Sequence, residues 1–145
     1  MNKTISKSEI RGILNAPTSK SALQRLIVAA SLSEGKSQIE FESMSEDAEA
    51  VLSIAENLVR SVKIIDKRIE IDGGIQKFNE IVNVGESGLG LRMIAPVLAS
   101  LTGTFEIAGK GSLLKRPVGF VVDTLKSCGV QVSDTNGNLP LIIKG

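Results

Sequence analysis

Pro17-Thr18-Ser19-Lys20-Ser21-Ala22-Leu23-Gln24-Arg25 is a short polar loop that runs straight into an apolar helix. Leu23, Leu26, Ile27 and Ala30 follow the i, i+3, i+4, i+7 spacing of a helix buried on one face, and Gly35 ends it. A lysine and an arginine stand where the positive end of a helix dipole favours acids. Such a start is mildly unfavourable unless an anion compensates, and helix N-termini with their unpaired N–H groups are anion sites.

The arrangement recurs downstream. Gly85-Glu86-Ser87-Gly88-Leu89-Gly90 is a glycine-rich loop, and the helix after it carries Leu91, Arg92, Ile94, Ala95 and Leu98. Superimposing Arg25 on Arg92, an offset of 67 residues, brings Ile39 and Glu40 beside Glu106 and Ile107. Between the two copies lie a strand over 37–41 and a helix from Ser45 with the stripe Ala48, Val51, Leu52 and Ala55. Strands at 62–65, 68–71 and 81–84 follow. After the second copy come a strand over 104–107 and a helix starting at Arg116-Pro117 with the stripe Val118, Val121, Val122 and Leu125. A hairpin then joins 130–132 to 139–143 across Asn136-Gly137. Residues 10–15 read as a first short strand ended by Ala16-Pro17.

These patterns describe two tandem βαβαββ units, over 17–84 and 85–145, behind an N-terminal strand segment, 1–16. One such unit buries little, so the expected α+β (α/β) architecture packs the helices of neighbouring units inside and leaves the sheets outside.

Three of the four helix starts carry cations: Lys20 with Arg25, Arg92, and Lys115-Arg116. The helix from Ser45 has Glu46, Asp47 and Glu49 in its first turn and obeys the dipole rule. Plain N-capping accounts for Thr18, Ser19 or Ser21 taken singly. Arg25 and Arg92 lie one turn inside apolar helices, where burial demands a carboxylate, carbonyls or a bound ligand as partner. Jointly, the cationic starts and the glycine loop favour anion binding. Glu86 sits in the same loop and must point away, pair with an arginine, or touch a hydroxyl or ammonium of the ligand.

Composition narrows the chemistry. At 145 residues, 42% apolar and 23% charged, the chain is long enough for a real core. A net charge of +1 gives no basic field for nucleic acid, and four Phe with no Trp or Tyr give no base-stacking platform. No histidine means no His-based acid/base, nucleophile pair or metal ligand, and no metal or cofactor is expected. The lone cysteine, Cys128, reads as a small buried side chain at the end of an apolar helix. No signal core or membrane-length run is present, so a cytoplasmic location is expected.

Three segments carry a family resemblance: APTSKSALQR into LIVAASLSEGKS, GESGLGLRMIAPVLASL, and LLKRPVGFVVDTLKSCGV. In order and spacing they resemble the 3-phosphoshikimate 1-carboxyvinyltransferases (5-enolpyruvylshikimate-3-phosphate synthases) over essentially the whole chain. The resemblance implies the enolpyruvyl transferase inverse α/β fold, here as two of the three units of one domain, and hence an incomplete domain. In this family the first strand belongs to the other domain.

It also implies transfer of the enolpyruvyl group of phosphoenolpyruvate to the 5-hydroxyl of shikimate 3-phosphate, in aromatic amino acid biosynthesis, without cofactor. By resemblance Lys20, Ser21 and Arg25 bind shikimate 3-phosphate. Lys20, Gly88 and Arg116 bind phosphoenolpyruvate, with Arg92 supporting. Thr18 stands where the family has glycine, and Glu86-Ser87-Gly88-Leu89-Gly90 where it has Asn-Ala-Gly-Thr-Ala. The family's Ser-Ser-Gln motif and its acid/base aspartate, glutamate and lysine fall beyond residue 145, so the 145 residues alone are expected not to turn over. Uncovered helix faces are expected to meet the rest of the enzyme or a second copy. The alternatives are a non-catalytic anion-binding module of the same fold, a structural domain with solvated basic residues, and a UDP-sugar enolpyruvyl transferase. The last typically has Lys-Asn in place of Lys20-Ser21.

Overall fold

Serine begins three of the four α-helices. Ser19, Ser45 and Ser87 each stand at the N-cap in extended backbone and accept the N–H three residues on, from Ala22, Ala48 and Gly90. The computed structural model describes residues 3–9, 11–76 and 79–145. In chain order it runs α1 (Lys20–Leu32), β1 (Gly35–Glu40), α2 (Glu46–Leu58), β2 (Ser61–Ile65), β3 (Arg68–Gly73) and β4 (Ile81–Asn83). Then come α3 (Gly88–Ala99), β5 (Thr104–Ala108), a 3-10 turn (Gly111–Lys115), α4 (Gly119–Ser127), β6 (Gln131–Thr135) and β7 (Asn138–Lys144).

The internal repeat is visible in the sheets. The first has the order β1-β3-β2 and the second β4-β5-β7-β6, so β1, β3 and β2 correspond to β5, β7 and β6. All these pairings are antiparallel except β4 with β5, which is parallel. The β6–β7 turn is the expected Asn136-Gly137, with φ of 53° and 79°, the left-handed pair that matches the twist of a two-residue hairpin. β4 lies on residues that a division at 84 groups with the first unit, yet it hydrogen-bonds into the second sheet.

The helices form the interior layer. α1 packs on α2, α3 and β3, and α3 reaches α4 and β7. One continuous apolar cluster joins both units, from Leu23 and Ile27 through Val51 and Ile94 to Phe105 and Ile143. The stripes of α2, α3 and α4 are buried as the periodicity predicts. α1 departs from its expected stripe, because Leu26 is 51% exposed while Gln24 and Ser31 are buried. Packing against α2 and α3 on adjoining sides rotates the buried face by one position.

Three further expectations are corrected. Residues 11–15 form no strand, and Ile13 and Leu14 are almost fully exposed, because no described strand runs beside them to pair with (Ile10 lies outside the described residues). α4 begins at Gly119, not at Arg116-Pro117; Arg116 closes the preceding 3-10 turn, so Lys115 and Arg116 stand before the helix. Cys128 is exposed. α4 stops at Ser127 and Gly129 turns the chain at φ 83°, which leaves Cys128 at the outer end of the helix.

Candidate anion-binding cleft

The starts of α1, α2 and α3 converge on one open cleft of about 520 Å³. α1 contributes Lys20, Ser21 and Gln24, and α3 contributes Gly88, Leu89 and Arg92. Ser112 and Arg116 close it from the 3-10 turn, and Ser45, Glu46 and Asp47 line it from α2. Three N-terminal dipoles thus face a common volume that also holds three permanent cations.

Of the residues that the sequence singles out, the fold brings Lys20, Ser21, Gly88, Arg92 and Arg116 together across an interval of nearly a hundred residues. The Arg116 guanidinium sits beside Gly88, since a Cβ added there would lie 3.6 Å from its Nη1. Nη2 accepts no proton and donates to Ser112 Oγ at 3.3 Å. Arg25 is not part of the cleft wall. It lies on the exposed side of α1, where its Nη1 donates to Ser21 O at 3.2 Å. Arg92 is exposed as well, so neither arginine is the buried cation that the apolar pattern suggests. Both leave the buried stripe because its face is taken by Leu23, Gln24 and Ile27 on α1 and by Leu91, Ile94 and Ala95 on α3.

The cleft also carries carboxylates. Lys20 Nζ pairs with Asp47 Oδ2 at 2.9 Å, with the lysine side chain 55% exposed. This pair joins the start of α1 to that of α2. Glu86 resolves its ambiguity by reaching the 3-10 turn, where Ser112 N donates to its Oε2 at 2.8 Å. Hydrogen bonds from the hydroxyl and the amide of Ser112, and then the charges of Lys110 and Arg116, hold its carboxyl below the usual carboxylate range. Glycine suits position 111, because its φ is +55° and an added Cβ would push the Glu86 carboxylate aside.

Thr18 does not cap α1. Its Oγ1 accepts the N–H groups of Glu42 at 2.7 Å and Ser43 at 3.1 Å, anchoring the loop before α2. Gln24 is the residue that the sequence reading missed. It is fully buried and accepts Ser87 Oγ–H at 2.7 Å, linking the starts of α1 and α3. Its signal was a polar residue at i+4 from Lys20, inside a helix otherwise apolar on that side. No described helix is long and apolar enough to cross a membrane.

A family model described as EPSP synthase (3-phosphoshikimate 1-carboxyvinyltransferase) matches residues 5–145. The chain is 36% identical to the 3-phosphoshikimate 1-carboxyvinyltransferase of Methanocorpusculum labreanum over 100% of its own length and 35% of that protein's. It is 31% identical to that of Ruthia magnifica, with the same coverage. The solved EPSP synthase from Acinetobacter baumannii superposes with a TM-score of 0.84 at 26% identity, over 92% of this chain and 32% of that one. The chain therefore spans about a third of the length of these relatives. With the repeat, the sheet order and the family model in agreement over nearly every residue, the chain belongs to the EPSP synthase (3-phosphoshikimate 1-carboxyvinyltransferase) family.

Proposed function

We propose that this chain supplies the anion-binding half of an enolpyruvyl transfer site. Its cleft takes phosphoenolpyruvate on Lys20, Gly88, Arg92 and Arg116. Shikimate 3-phosphate lies alongside on Lys20 and Ser21, with Arg25, whose guanidinium reaches back to Ser21 O, at the edge of the cleft. The observation that carries this reading is the convergence of Lys20, Arg92 and Arg116 on the starts of three helices. Two polyanionic substrates repel each other, and bringing their reacting carbons together needs cations and aligned N–H groups fixed in advance. Lys20, at the first position of α1 and paired across to Asp47 at the start of α2, suits contact with both ligands. Gly88 leaves room for an oxyanion beside the Arg116 guanidinium.

Proton transfer to the enolpyruvyl methylene and from the 5-hydroxyl needs positioned acids and bases. The cleft carboxylates are poor candidates: Asp47 is paired with Lys20, Glu86 is held by Ser112, and Glu46 lies 3.9 Å from Lys110 Nζ. Catalysis is accordingly completed by residues outside these 145, and the reaction runs in the cytoplasm. The boundary between the two units falls ahead of β4, which pairs into the second sheet, with 1–16 as a separate segment.

Calorimetry with shikimate 3-phosphate and phosphoenolpyruvate tests the reading. Binding that is lost in Lys20→Ala and Arg116→Ala supports it, and absence of binding by the wild-type chain at low salt sinks it. No phosphate release is expected when both substrates are mixed with this chain alone.

A second proposal concerns the surface of α1. Ala22, Leu26, Ala29 and Leu32 form an exposed stripe at helical spacing. We infer that it packs against the rest of the enzyme or, in its absence, against a second copy.

A further inference from the structure

Gln24 is 0% exposed, as is its partner Ser87. The Ser87 hydroxyl both accepts and donates around this contact. Its oxygen accepts Gly90 N–H at 2.9 Å and its proton goes to Gln24 Oε1 at 2.7 Å. This fixes the orientation of the amide, because the serine proton needs an acceptor and Nε2 is none. Gln24 Nε2 is then left with no protein partner, the one such buried side-chain atom among the described residues. A buried donor without an acceptor costs on the order of 1–3 kcal/mol. The same residue forms part of the wall of the anion cleft, on the face of α1 that presents Lys20 and Ser21 one turn earlier.

We propose that Gln24 is a ligand-contacting residue of this cleft, its Nε2 donating to an oxygen of a carboxylate or phosphoryl group held between the starts of α1 and α3. The inference rests on the anion-binding reading above and adds to it a neutral, buried donor. A neutral amide suits this place. It adds directionality without a fourth cation, and its link to Ser87 keeps it in position before the ligand arrives.

The test uses the 145-residue chain as wild type, Gln24→Met and Gln24→Glu. Phosphoenolpyruvate and inorganic phosphate are titrated by calorimetry at constant salt, and the wild-type Gln24 side-chain amide is followed by NMR. Gln24→Met is expected to bind about tenfold more weakly, the loss of one hydrogen bond to a charged group. Without ligand it should melt close to wild type, since the orphaned Nε2 is removed while the Ser87 proton loses its acceptor. Gln24→Glu should bind more weakly still, since its carboxylate faces the anion. The Nε2 resonances should shift on saturation.

Binding by Gln24→Met within twofold of wild type, or Nε2 resonances that do not move, overturns the inference and leaves the anion-binding reading standing. A Gln24→Met chain that melts lower and binds as wild type makes the residue a strut and overturns it too. If the variants fail to fold, the wild-type resonances decide alone. A wild-type chain that binds neither probe overturns both.

Discussion

At the scale of single residues, the cleft is governed by which charges are already engaged. Asp47 holds Lys20 Nζ at 2.9 Å, so an incoming anion competes with a carboxylate for that lysine. Half-exposed pairs of this kind contribute at most about 1 kcal/mol. Asp47→Asn is expected to tighten phosphoenolpyruvate binding by up to about fivefold, read by calorimetry. Glu86 gives a pH dependence. Its carboxyl lies below the ordinary 4.5 because Ser112 hydrogen-bonds the ionised form. A group depressed on folding contributes stability above its unfolded value and loses it as pH falls through the folded value. The stability difference between wild type and Glu86→Gln should therefore be full at pH 7 and shrink below about pH 4.5, as thermal melts from pH 7 to pH 3 would record.

At the scale of elements, what matters is how α1 is seated. Gly73 ends β3 against the last turn of α1, where an added Cβ would overlap the carbonyl oxygens of Ala30 and Ser33. Backbone cannot yield as a side-chain tip can. Gly73→Ala should cost about 3 kcal/mol or more, a fall of at least roughly 6 °C in Tm by calorimetric scanning. Thr18 seats the other end, since it accepts two loop amides ahead of α2. Thr18→Val keeps the shape and removes both bonds. We expect a loss of about 1 kcal/mol and faster hydrogen exchange at Glu42 and Ser43. A Thr18→Val chain with unchanged exchange at those amides would show that the bonds do not hold the loop.

At the scale of the molecule, two sheets share one helical interior, and the described apolar core is continuous between the units. The exposed stripe of α1, with Leu26 and Leu32 about half accessible, remains outside that core. Concentration-dependent association is expected in light scattering, weakened by Leu26→Gln. A strictly monomeric chain at millimolar concentration would remove this expectation. Much of this architecture was legible in advance because both halves carry the same element order, and the sheets β1-β3-β2 and β5-β7-β6 repeat it. The segment 11–15 was misread as a strand for a general reason. A short apolar segment becomes a strand only when another backbone is there to receive its hydrogen bonds.

The amino-acid sequence alone pointed to the repeated element order, the helix from Ser45, the Asn136-Gly137 turn and the grouping of Lys20, Ser21, Gly88, Arg92 and Arg116, which line one cleft. Each of these is written locally, as a periodicity, a cap, a turn dipeptide or a family motif. Only the tertiary structure decided that Arg25 stands outside the cleft wall, that Arg116 precedes α4, that Glu86 is tied to Ser112, and that Gln24 is buried with a free donor. Those outcomes depend on the rotation of α1 against two neighbouring helices and on which loops come within hydrogen-bonding reach. Neither is a property of any stretch of chain taken alone.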